Sequence, residues 1–173
     1  MHLEGNVSIA APRQKVWDSL TDPYFVVQCA PGLESMDVIE PGKRFQAVAG
    51  AGFGSIKVTF KTDVEWLELN VPTYAAMQVH GTAPGSAMDM TSAMTLSDGP
   101  DESTELNWTA EIVVLGTIAS VASRLMKPVA NLLVGQLFKC IKSKIEVTDT
   151  SVTDSSTTDA PVADPPDEDV TPA

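Results

Sequence analysis

Residues 117–146 read TIASVASRLMKPVANLLVGQLFKCIKSKIE, and this stretch decides the fold. Apolar residues recur at Ile118, Val121, Ala122, Leu125, Met126, Val129, Leu132, Leu133, Leu137, Cys140, Ile141 and Ile145. Steps of three and four predict one apolar stripe on an α-helix, on the order of 40 Å long at about 1.5 Å per residue. Ser120, Arg124, Lys127, Asn131, Lys139 and Lys142 fall on the other face. Pro128 removes one backbone donor, yet the stripe keeps its phase across it, which predicts a kinked single helix rather than two. Such a stripe needs a concave apolar cover, and the chain before it must supply that cover.

Working back from the helix, residues 104–114 alternate, with Leu106, Trp108, Ala110, Ile112 and Val114 on one face. Residues 86–96 do the same with Met88, Met90, Met94 and Leu96, and residues 74–81 with Met77 and Val79. The long strand from Ile56 sets Val58, Phe60, Val64 and Trp66 inward and Lys57, Lys61, Asp63 and Glu65 outward. Residues 33–40 and 44–50 form two more strands about the turn Pro41-Gly42-Lys43. The glycines of Gly50-Ala51-Gly52-Phe53-Gly54 join two strands rather than a strand and a helix, so they predict a hairpin and not a phosphate loop. Residues 2–9 give a first strand with Leu3, Gly5, Val7 and Ile9 inward. Between it and the second strand lie two short helices. Val16, Trp17 and Leu20 mark the first, and Asp22-Pro23 caps the second, which ends at Ala30-Pro31-Gly32. The expected architecture is α+β: a seven-stranded antiparallel sheet wrapped around a long C-terminal helix, with two short helices after the first strand.

Composition narrows the function classes. The chain has 173 residues and a formal net charge of −12, which argues against a nucleic-acid partner. From Asp149 onward there are seven acidic residues and no basic ones. Residues 1–147 are therefore read as one domain and 148–173 as a disordered acidic Pro/Ser/Thr-rich tail. The N-terminus lacks a basic region followed by an apolar run, so no signal peptide is expected. Arg124, Lys127 and Pro128 interrupt the most apolar stretch, so no membrane span is expected either. Cys29 and Cys140 are expected as separate buried thiols in a reducing, cytoplasmic setting.

Ala11-Pro12-Arg13-Gln14-Lys15-Val16-Trp17, then Asp22-Pro23, then Cys29-Ala30-Pro31-Gly32 resemble the N-terminal motifs of the CoxG family, named for the G component of carbon monoxide dehydrogenase. That family belongs to the helix-grip superfamily of START lipid carriers, polyketide cyclases and birch-pollen-allergen-like proteins. Gly52-Phe53-Gly54-Ser55-Ile56, the turn Pro72-Thr73-Tyr74, the pair Gly81 and Gly85, and Gln136-Leu137-Phe138 fall where similar family features do. Leu137 departs from the family pattern, which has an aromatic there; Pro128 and the acidic tail also depart. The resemblance covers residues 1–146. It implies a helix-grip fold and an accessory protein of a molybdenum carbon monoxide dehydrogenase-type enzyme. It further implies membrane recruitment at the inner face of the cell membrane and a link to the respiratory quinone pool.

Catalytic constellations are not expected. His2 falls on the outward face of a frayed N-terminus, and His80 alternates with Met77 and Val79 and points to solvent. No inward carboxylate pair is predicted, and no metal-ligand spacing exists. The methionines suggest an adaptable apolar wall. Gly5, Ala110, Ala122, Ala130 and Gly135 would leave room beside it. The expected ligand site is a cavity lined by Phe60, Trp66, Met77, Met88, Met90, Trp108, Leu125, Val129 and Leu133. Its expected occupant is a quinone (menaquinone or ubiquinone) or another isoprenoid lipid. The helix segment before Pro128 would form the wall and mouth, and 132–145 a packed anchor. Phe53, Pro84, Leu115 and Ile118 would form an apolar rim for a membrane or an enzyme partner. The alternatives are a ligand-free recruitment adaptor and, further off, a cyclase-like enzyme.

Overall fold

The computed structural model describes residues 1–53 and 56–150; within them the side chains of 51, 53, 56, 121–123, 125–126 and 148–150 are outside the description. The elements run β1 (His2–Ile9), α1 (Arg13–Thr21), α2 (Pro23–Val26), β2 (Leu33–Glu40), β3 (Arg44–Phe53), β4 (Ile56–Asn70), β5 (Tyr74–Ala83), β6 (Ser86–Asp98), β7 (Thr104–Gly116) and α3 (Ala119–Thr150). All pairs are antiparallel, in the order β1-β7-β6-β5-β4-β3-β2. The strands β2 to β7 form a meander, and β1 closes onto β7. This is the expected helix-grip arrangement.

Helix α3 passes unbroken through Pro128 and runs to Thr150, four residues past the expected end at 146. Residues 151–173 of the acidic tail lie outside the described residues. In the second half of α3, Ile141 and Ile145 are buried and pack with Ile9, Val16, Trp17, Leu20, Leu96 and Leu106. The start of α2 follows from its sequence. Asp22 caps it, its Oδ1 accepting the Tyr24 backbone N–H at 2.9 Å, and Pro23 fills a first-turn position that has no use for an N–H.

At two glycines of positive φ a neighbouring backbone leaves no room for a side chain. Gly32 has φ +79, and a Cβ there would stand 2.2 Å from the Gly50 carbonyl oxygen. Gly116 has φ +88, and a Cβ would stand 2.1 Å from the Gly85 carbonyl oxygen. The first accounts for the glycine that ends Cys29-Ala30-Pro31-Gly32. The second lets β7 turn into α3 beside the β5–β6 turn, where the Thr117 N–H donates to Gly85 O at 3.0 Å.

The structure corrects two expectations here. Cys29 and Cys140 are not separate thiols: they form a disulfide, with Cα atoms 5.4 Å apart. The segment after α2 docks on α3, which brings together cysteines 111 residues apart in the chain. Nor is the N-terminus frayed. The Met1 amino group donates to Ile112 O, the Ile112 N–H returns a bond to Met1 O at 2.8 Å, and β1 is in register with β7 from His2 onward.

Candidate functional site: an apolar cavity between sheet and helix

A partly open cavity of about 280 Å³ lies between the inner face of the sheet and α3. Its sheet wall is built row by row from the strand register. One row sets Val64 beside Val79 and Val79 beside Met90; the next sets Trp66 beside Met77 and Met77 beside Ser92. Met94 and Trp108 follow as direct partners, and Ala110 sits opposite Ser92. The helix wall comes from Val134, Leu137, Phe138 and Ile141, spaced as one face of α3. Leu20, Pro23 and Val26 close a third side from α1 and α2, and Phe45 contributes from β3.

Ser92, Trp66 and Trp108 are the lining residues whose side chains carry an N–H or O–H. The Ser92 hydroxyl donates to Thr109 O at 2.9 Å and so is already engaged. Among the described residues no ionisable side chain lines the cavity. Trp108 stacks on Phe138 with ring centroids 5.9 Å apart, an offset contact of the kind aromatic pairs favour.

Of the residues expected at the site, Trp66, Met77, Met90 and Trp108 line it. Phe60, Met88, Val129 and Leu133 are not among its lining residues. Phe60 and Met88 converge on Gly81 instead: a Cβ there would stand 3.3 Å from Met88 Cε and 3.4 Å from Phe60 Cδ1. The missing side chain at Gly81 is thus filled by its neighbours. Val129 and Leu133 are half-buried on α3; Val129 lies more than a turn before Val134, where the helix wall begins, and Leu133 directly precedes it. The Leu125 side chain lies outside the described residues, as do those of Ala122 and Phe53.

Among the described residues, the helix wall of the cavity comes from α3 after Pro128, in the half expected as the packed anchor. Leu132, expected on the buried stripe, is 60% exposed. The small residues divide in an unexpected way. Ala110 does border the cavity, but the space over Gly5 is taken by the Trp108 indole, and Gly135 is exposed. Lining residues absent from the expected set include Leu20, Pro23, Val26, Phe45, Val134, Leu137, Phe138 and Ile141. The Gln136-Leu137-Phe138 motif was the available signal for two of them.

The expected rim residues lie at the opposite end of the sheet. Pro84 and Leu115 are exposed and Ile118 is half-buried, around the hydrogen-bonded junction of the β5–β6 turn with the start of α3. None of the three borders the cavity. A second, polar hollow lies on the outer face, where Asn6, Asn107, Thr95 and Tyr74 form one cross-strand row.

Both histidines are outward and remote from the cavity. His80 Nδ1 lies 2.6 Å from Asp89 Oδ1. His2 contacts Glu111 and, at 3.5 Å, Glu4, and these carboxylates raise its pKa above the ordinary 6.5. Among the described residues no cluster of three or more His, Cys, Asp and Glu could hold a metal ion, and no helix is long and apolar enough to cross a membrane.

The fold is shared with solved structures. A conserved protein from Geobacillus kaustophilus is 24% identical, with a TM-score of 0.78 over 86% of this chain and 97% of that one. The ZhuI aromatase/cyclase from Streptomyces sp. R1128 is 18% identical, with a TM-score of 0.70 over 88% and 98%. A START superfamily protein from Mycobacterium smegmatis is 13% identical, with a TM-score of 0.62 over 85% and 98%. At these identities the likeness is one of fold. A comparison with curated proteins gave no match. The family model of CoxG, the G component of carbon monoxide dehydrogenase, matches residues 5–146, nearly the whole described domain, and the chain belongs to that family.

Proposed function

We propose that this protein is a non-catalytic carrier that holds an apolar ring-bearing ligand, a quinone head group or related isoprenoid lipid, in the cavity between sheet and helix. The observation that carries the reading is the composition of the wall: aliphatic, methionine and aromatic side chains, with the Ser92 hydroxyl already bonded. An apolar cavity of about 150 Å³ stays dry and admits benzene. At about 280 Å³ this one accommodates a larger ring while an attached chain leaves through the open side. Met77, Met90 and Met94 offer polarizable, adaptable contacts, and Trp66 and Trp108 offer ring faces.

Membership of the CoxG family supports a role beside a carbon monoxide dehydrogenase. In this reading the protein docks on that molybdenum enzyme at the inner face of the cell membrane and connects it to a membrane pool of electron acceptors. The described lining carries no ionisable group, which favours binding over cyclase-type chemistry, since that needs a proton donor or acceptor at the reacting atom.

Lipid extraction of the purified protein, followed by mass spectrometry, tests the carrier role, with quinone titration monitored by tryptophan fluorescence as a second readout. A co-purifying quinone or lipid and quenching of Trp66 and Trp108 are expected. Repeated absence of any lipid, with no fluorescence response, would overturn the carrier reading and leave a ligand-free adaptor.

A further inference from the structure

The disulfide joins two walls of the cavity. Cys29 lies three residues after Val26, and Cys140 lies between Phe138 and Ile141; Val26, Phe138 and Ile141 all line the cavity. The α2 wall has little else to fix it in place. It is four residues long with no fully buried member, and Tyr24 is 61% exposed. Phe25 is half-buried against the core, and Lys144 Nζ donates to Gln28 Oε1 at 2.8 Å. Short segments with little buried apolar surface open at low free energy unless they are tied down. The covalent tie to α3 is therefore what holds this wall against the cavity.

We propose that Cys29–Cys140 is a thiol-exchange site, reduced by a small dithiol, whose opening releases the α2 wall and lets the cavity exchange its ligand. The inference rests on the carrier reading above. Cys140 is the more accessible residue, since Cys29 is 7% exposed and Cys140 half-buried. A thiolate of the dithiol attacks Cys140 Sγ, forming a mixed disulfide, while Cys29 leaves as a thiolate and takes a proton from solvent. The second thiol of the reductant, losing its proton, then displaces Cys140. Two electrons pass to the protein, which ends with two thiols, and the reductant ends as a cyclic disulfide. Oxidised protein retains its cargo and reduced protein exchanges it.

The test uses the full chain in both redox states, each verified by intact mass. Hydrogen exchange is read at the amides of Val27, Gln28 and Cys29, which donate to Pro23 O, Phe25 O and Val26 O. Release of the thiol-inert apolar fluorophore phenylnaphthylamine is followed in parallel. Reduction should lower protection at these amides and speed release about tenfold or more. Cys140→Ser should release at the reduced rate whatever the redox state. Unchanged protection on reduction overturns the proposal, and so does lowered protection with an unchanged release rate. Lowered protection in a protein that binds the fluorophore in neither state supports the thiol-controlled release of α2 and refutes the carrier reading instead.

Discussion

Trp108 lies over Gly5: a Cβ built at position 5 would stand 3.0 Å from the indole Nε1 and Cζ2. The two residues are direct partners on β1 and β7, and the ring continues on to stack against Phe138 of α3. Gly5→Val forces the indole off the strand and toward the cavity. Overpacking of this kind costs about 1–3 kcal/mol. Urea denaturation checks the cost, and a shifted tryptophan emission checks the movement. A variant unchanged in both would show that the ring has other room.

Ala110 tests the cavity from the opposite direction. It borders the empty space and faces Ser92, so Ala110→Leu places a branched side chain where the ligand would lie. Filling a cavity conserves or raises stability, by up to about 1 kcal/mol, while it removes binding volume. Affinity for a quinone or for phenylnaphthylamine should fall about tenfold or more with the melting temperature maintained. Undiminished affinity would place the ligand elsewhere.

Thr104 is a fully buried polar residue, and its hydroxyl donates to Ala11 O at 2.7 Å. That bond ties the start of β7 to the junction of β1 with α1. Thr104→Val keeps the shape but leaves a buried carbonyl without its donor, a loss of about 1–3 kcal/mol. Equilibrium unfolding measures it. A loss near zero would mean that water reaches Ala11 O.

His2 gives a pH dependence of known sign. Its contacts with Glu111 and Glu4 favour the imidazolium, so the folded pKa lies above 6.5. The stabilisation is fully present below 6.5 and is lost as pH rises through the folded value. An NMR titration of the imidazole should show a midpoint above 6.5, and Glu111→Gln should bring it down. A wild-type midpoint at or below 6.5 would remove the effect.

The fold was legible because strand and helix periods are local properties. Leu106, Trp108 and Ala110 alternate with Asn107 and Thr109, and the structure puts each on the expected face. The site was legible only in part, because alternation assigns a face but not what fills the space in front of it. Met88 and Met90 share a face two residues apart, yet Met88 closes over Gly81 and Met90 borders the cavity. Gly5 reads as room for a ligand but is room for a neighbouring tryptophan. The disulfide was hidden for a different reason. A pairing across 111 residues depends on how the segment after α2 docks on α3, and no local pattern around Cys29 or Cys140 encodes that docking.

Helix α3 follows all seven strands in the chain, which has a consequence for biosynthesis. Ile9, Leu96 and Leu106 are covered in the finished protein by Ile141 and Ile145. On the ribosome these side chains emerge well before their cover does, so the nascent sheet presents a bare apolar trough until the last turns of the helix are made. Long-range closure of this kind is slow and exposes the intermediate to aggregation. A ribosome stall after β7, or a truncation before residue 141, would therefore yield a chaperone client and not a smaller stable domain.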